Sequence, residues 1–163
     1  MDSKARSRIE ALLDAQSFVE IGALVKSRST DFLQGAEKAA SDGVICGYGS
    51  ISGKPVYIYA QNRDVLSGSV GEMHGRKIAH LYDMAMKMGA PVVELLDSSG
   101  IRLEEATDAL YALSKLYKKK AQAKGLIPLY SVLYGQAGGG MALLASLSDF
   151  CFMENQEGRL FIN

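Results

Sequence analysis

Two apolar runs, each followed by a glycine-bearing turn, constrain this chain more than any other feature. Residues 91–96 and 127–134 read as near-continuous apolar strands, and a strand of that kind needs cover on both faces of its sheet. Helical spacing supplies the cover. Ile78, Leu81, Tyr82, Ala85 and Met88 recur with helical period within residues 69–88, and Gly89 followed by Pro91 stops that helix. Leu110, Leu113, Tyr117 and Ala121 mark a second helix, expected to be capped by Thr107 and to close at Gly125. Before this repeat, residues 44–51 and 55–61 are β-branched and aromatic around Ser52-Gly53-Lys54, a hairpin signal. After it, Gly138 opens a short helix, and residues 149–154 and 159–162 read as two last strands around a turn at 156–158. A hairpin followed by alternating strand and helix predicts an α/β domain with a largely parallel sheet. Ligands of such sheets sit beyond the carboxyl ends of the strands.

The remaining chain is less informative. Residues 5–14 form a short amphipathic pattern with Ile9, Leu12 and Leu13 on one side, and residues 26–41 are polar without a period, as in an irregular, mobile loop. We therefore divide the chain into an N-terminal segment, 1–41, and a domain, 42–163. At 163 residues and 48% hydrophobic content, one domain with its own core is expected. Eighteen basic residues balance eighteen acidic ones, so no net field favours nucleic acid or insertion into an anionic membrane. Lys118, Lys119 and Lys120, with Lys115 and Lys124 nearby, read first as a solvated helix face and second as a docking patch for an acidic partner or a nucleotide phosphate. Cys46 and Cys151 have apolar neighbours and no CxxC spacing, which predicts small core residues in a reducing, cytoplasmic compartment. His74 and His80 lie about 240° apart around one helix, so no metal pair is expected; both read as surface or interface residues.

The chemistry concentrates in two turns. Asp97-Ser98-Ser99-Gly100-Ile101-Arg102 follows the first apolar strand, and Gly135-Gln136-Ala137-Gly138-Gly139-Gly140 follows the second. Glycines at a helix start leave backbone N–H groups unshielded, and two such turns on successive strands can converge on one oxyanion. Neither turn matches GxGxxG or GxxxxGK[ST], and GxSxG is absent. The site is rich in backbone donors and poor in acid–base groups.

These residues carry a resemblance. Asp42-Gly43-Val44-Ile45-Cys46-Gly47-Tyr48-Gly49, Gly68-Ser69-Val70-Gly71-Glu72-Met73-His74 and Gly89-Ala90-Pro91-Val92 look like the carboxyltransferase subunits of propionyl-CoA and related acyl-CoA carboxylases, and like their decarboxylase cousins. Residues 97–102 resemble that family's Asp-Ser-Gly-Gly-Ala-Arg, and residues 136–141 its Cys-Ala-Gly-Gly-Ala stretch. The resemblance implies a partial crotonase-like (ClpP/crotonase) α/β fold of the ββα spiral type, and an acyl-CoA-binding half of a biotin-dependent carboxyltransferase. By position, Gly139, with Gly140 beside it, and Gly100 or Ile101 would donate amides to a thioester enolate, with Ser99 and Gly138 lining the substrate. Arg63, Arg76 and Lys77 lie where they could meet CoA phosphates. Ala142 stands where crotonase hydratases carry a catalytic glutamate, which argues against hydration.

The implied cofactors are biotin, carried by a partner, and a CoA thioester as substrate. The implied partners are a biotin carboxyl carrier protein or domain, a biotin carboxylase or decarboxylase membrane subunit, and further copies in a homo-oligomer. Family subunits usually contain two such halves, so the chain is expected to be a fragment without turnover by itself. Ser99 and Ser67 replace family glycines, Ile101 an alanine and Asn62 an aspartate, which bears on substrate more than on family. Two alternatives stand beside this reading. One is a malonate decarboxylase β-like subunit acting on a malonyl thioester. The other is a non-catalytic assembly domain using the apolar face of Met141, Leu143, Leu144 and Leu147.

Overall fold

In the computed structural model, which describes residues 3–28, 39 and 41–162, the strands form one seven-stranded sheet. β1 (Val19–Ile21), β2 (Val44–Ile51) and β3 (Lys54–Gln61) are antiparallel neighbours. From β3 the sheet turns parallel, through β4 (Val92–Ser98) and β5 (Leu129–Gly138). β6 (Phe150–Met153) pairs with residues 130–133 of β5 and β7 (Arg159–Phe161) with residues 136–138, so the two follow one another along the same edge.

The β2–β3 hairpin turns on Ser52 and Gly53, both at positive φ (51° and 76°), which is the two-residue turn whose twist suits a tight hairpin; Lys54 is already in β3. Period-two alternation then sorts side chains between two cores. Val56, Ile58, Ala60, Val93 and Leu95 meet α1 (Lys4–Leu12) through Ala5 and Ile9. Tyr57, Tyr59, Val92, Leu96, Leu129 and Leu133 face the larger core with α2 (Glu72–Met88), α3 (Ala106–Ala123) and α4 (Gly140–Ser146). Gly89 ends α2 as expected, with φ 65° and its N–H donated to the carbonyls of Ala85 and Met86.

Several expectations shift. α2 starts at Glu72, because residues 66–68 form a single 3-10-type turn wound left-handed, all three at positive φ, instead. Thr107 does not cap α3; a second one-turn 3-10 helix, Leu103–Glu105, runs into it and Glu105 takes the capping position. Gly138 belongs to β5, where it pairs with Phe161, and α4 opens two residues later. Glu94, inside the supposedly apolar run, and Lys120, assigned to a solvated face, are both fully buried and bonded to each other at 2.5 Å. Cys46 is core, but Cys151 is exposed on the edge strand β6. Of the polar stretch 26–41, residues 29–38 and 40 lie outside the described residues, so most of the expected loop does too. No helix among the described residues is long and apolar enough to cross a membrane.

Candidate active site

Parallel pairing puts Ser98 of β4 beside Ala137 of β5. Gly100 and Gly139 each follow two residues later, so the two turns leave neighbouring strands at the same level, with strand axes about 5 Å apart. Both glycines are at positive φ, 105° and 55°, where a side chain would be strained.

The first turn is held against the loop before α2. Val70 N–H donates to the Gly100 carbonyl (2.8 Å), and Arg102 N–H donates to the Val70 carbonyl (2.9 Å). In this parallel bridge the intervening Ile101 turns its own N–H the other way. Ser99 N–H donates to the Ser67 carbonyl (3.1 Å), and Gly100 N–H to Ser98 Oγ (3.1 Å), whose hydroxyl donates on to the Gly68 carbonyl (2.8 Å). Between the two loops lies a cavity of about 490 Å³ whose lining includes Leu66, Ser67, Ser69, Ser99, Ile101 and Leu103. Leu66 and Ser67 both hold left-handed backbone, φ 49° and 54°, an uncommon conformation for residues with a Cβ.

The second turn differs from expectation. Gly139 N–H donates to the Phe161 carbonyl (3.0 Å), because β7 pairs alongside the end of β5. Gly139 and Gly100, the two glycines expected to present free amides, thus spend theirs on neighbouring protein acceptors. Gly140, the first residue of α4, has no acceptor within its helix. Its carbonyl accepts from the Tyr117 hydroxyl (2.5 Å), which ties the turn to α3. Gly138, Gly139 and Gly140 do not line the 490 Å³ cavity.

The three expected phosphate ligands do not converge. Arg63 lies in a cleft of about 460 Å³ on the α1 side, with Arg8, Gln136 and Arg159, and donates to Asp97 (3.4 Å) as Arg8 does (3.0 Å). Arg76 lies in a different cleft of about 500 Å³ with His80, Lys115, Lys118 and Lys119, and pairs with Glu72 at 2.6 Å. Lys77 is turned inward, its ammonium donating to Asp42 Oδ1 (3.2 Å) and the Val44 carbonyl (2.7 Å); burial removes it from the surface role expected of it.

A buried polar cluster, unforeseen from sequence, lies behind the first turn. His74 is fully buried rather than on the surface. Its Nδ1–H donates to the Asp42 carbonyl (3.1 Å), and its Nε2 faces Gln61 Nε2 at 3.4 Å, which requires the neutral ring. Burial, helped by the Arg102 charge, pushes its pKa down to about 3. Burial raises the Asp42 carboxyl, against the pull of Lys77, and its Oδ2 has no partner among the described residues. Arg102 completes the cluster with four hydrogen bonds. A sequence signal for Glu94 and Lys120 did exist, a charged residue at an inward position of each buried element; nothing comparable marks Asp42 or His74. The apolar face of α4 is mostly core, with Met141 and Leu144 buried and Leu143 exposed.

Comparison with known proteins agrees with this architecture. The carboxyl transferase domain family matches residues 3–163. The methylmalonyl-CoA decarboxylase subunit alpha of Veillonella parvula is 42% identical over 158 residues, 97% of this chain and 31% of that protein. The biotin-dependent acetyl-/propionyl-coenzyme A carboxylase beta5 subunit of Mycobacterium tuberculosis is 41% identical over 97% of this chain and 29% of its own length. Among solved structures, transcarboxylase 12S with hydrolysed methylmalonyl-coenzyme A superposes with a TM-score of 0.92 at 34% identity, covering 98% of this chain and 31% of that one. A Pseudomonas malonate decarboxylase hetero-tetramer in complex with malonate gives 0.85 at 30% identity, over 98% of this chain and 60% of that one. The chain thus spans about a third of the length of the curated relatives, and its neighbours share the crotonase-like fold. The matched family, the parallel sheet and the paired glycine turns agree, and this chain belongs to the carboxyl transferase domain family.

Proposed function

We propose that this chain forms the acyl-CoA-binding part of a biotin-dependent carboxyltransferase or decarboxylase, holding a thioester enolate with main-chain amides. The observation that carries this reading is the pairing of Ser98 with Ala137, which brings the two turns side by side. Ile101 and Gly140 are the amides we assign to the enolate oxygen, since Gly100 and Gly139 donate to protein acceptors. Ser67 and Ser99 offer hydroxyls and Leu66 and Ile101 apolar contact, a lining that fits the acyl end of a CoA thioester. Biotin, brought by a carrier protein or domain, would supply or receive the CO2. A biotin carboxylase or a decarboxylase membrane subunit, and further copies of the chain, complete the proposed assembly.

Proline at 101 tests the donor assignment, because neither bond of the Val70 bridge uses the Ile101 amide. In the full-length protein, Ile101→Pro is expected to lower kcat by about 10²–10³-fold, the usual loss for one oxyanion donor. Assembly should be retained, and acyl-CoA should slow amide hydrogen exchange around 99–101 and 139–140 in the unsubstituted protein. Normal turnover by Ile101→Pro would remove Ile101 from the site.

The likeness to malonate decarboxylase, a TM-score of 0.85 over 98% of this chain, supports one second reading, a subunit acting on malonyl carrier protein. Decarboxylation assays with malonyl carrier protein against methylmalonyl-CoA separate the two.

A further inference from the structure

The residue after the assigned donor, Arg102, is bonded through all three of its guanidinium nitrogens. Arg102 is 1% exposed. Its Nε donates to Ser69 Oγ (3.1 Å), Nη1 to Glu105 Oε1 (2.7 Å), and Nη2 to the carbonyls of Ser69 (2.7 Å) and Asp42 (3.0 Å). The second oxygen of Glu105 accepts from the N–H of Glu72, the first residue of α2, at 2.5 Å. A Cβ at Gly71 would lie 2.5 Å from Arg102 Nη1 and 2.4 Å from Glu105 Oε1, so the backbone at 71 is bare where the ion pair passes.

One guanidinium therefore joins the strand entry at Asp42, the loop at Ser69, the start of α3 and, through Glu105, the start of α2. Main-chain bonds from Val70 to Gly100 and Arg102 run beside it. Ile101 is fixed from both flanks. A buried ion pair is a weak source of stability, since apolar residues of the same volume do as well or better, but it holds geometry tightly. Oxyanion donors act through being fixed before the charge develops.

We propose that Arg102, locked by Glu105, is a positioning residue that holds the Ile101 amide in its productive direction. The proposal rests on the donor assignment made above, and Ile101→Pro tests that assignment separately. In the full-length protein, Arg102→Lys keeps the charge but cannot span four acceptors, and Glu105→Gln cannot accept from both Arg102 and Glu72. For each, kcat is expected to fall about tenfold or more with KM changed less than about twofold, the pattern of a group acting only on the transition state. Hydrogen exchange at residues 99–102 should quicken in both variants. If both assemble and turn over within about twofold of the unsubstituted protein while Ile101→Pro is slow, positioning by Arg102 is refuted and the donor reading stands. A rise in KM alone would equally refute it, as would failure of both variants to assemble, which would make the pair a folding element.

Discussion

At the scale of single residues, the charges that matter are those hidden from water. Glu94 accepts from Lys120 (2.5 Å), from the Tyr82 hydroxyl and from the Ser131 hydroxyl, all inside the larger core. Removing one partner strands the other, so Glu94→Gln or Lys120→Met should each cost about 3–5 kcal/mol in urea unfolding, and the double variant should cost less than the sum. An additive double variant would show that the two charges do not depend on each other. His74 makes a second prediction. Its folded pKa, about 3, lies below its ordinary 6.5, so the unfolded chain takes up a proton first as pH falls. Its contribution is complete above 6.5 and is lost progressively as pH drops toward 3. Asp42 runs the other way: its raised carboxyl contributes below 3.8 and loses that contribution as pH rises through its folded value. The comparison with His74→Gln therefore reads the histidine: the fall in melting temperature between about pH 7.5 and about pH 5 should shrink in that variant, and an unchanged fall would count against a neutral buried ring.

At the scale of elements, legibility followed periodicity. The β2–β3 hairpin, the stop of α2 at Gly89 and the order of strands and helices all rest on local pattern, and the structure has them. What escaped was decided by partners distant in sequence. β1 is three residues long and exists because Val19, Glu20 and Ile21 find Tyr48, Gly47 and Cys46 across the sheet. β5 outruns its apolar stretch to Gly138 because β7 pairs there, and the same pairing takes the Gly139 amide. Close packing of α2 on α3 depends on Gly75, whose added Cβ would meet the Ala112 Cβ at 2.8 Å; helical spacing alone does not reveal that. The two glycine turns were legible as neighbouring turns because glycine follows a strand end twice. Which of their amides remain uncommitted was not, since hydrogen-bond partners are a tertiary property. Lys77 misled for the same reason: charge suggests a surface, but a buried carboxylate can draw an ammonium inward.

At the scale of the whole molecule, one edge of the sheet differs from the rest. Every residue of β6 and β7 is exposed, yet Phe150, Phe152, Met153, Leu160 and Phe161 are apolar. Tyr130 of β5 stacks on Phe150 with ring centroids 5.3 Å apart, which adds to this apolar surface without covering it. A sheet edge carries strand-pairing groups as well as side chains, and an apolar edge is an association surface in water. This chain spans only 31% of the Veillonella parvula relative, so the same edge need not be open in a longer protein. The 163-residue chain alone is expected to self-associate, sedimenting above monomer mass at tens of micromolar, within the range where exposed apolar surface drives aggregation. Phe152→Lys together with Phe161→Lys should return it to monomer while leaving the far-UV spectrum unchanged, because neither side chain is buried. Monomeric sedimentation of the unsubstituted chain would mean that the edge is protected, and association that survives both lysines would place the contact elsewhere on the molecule.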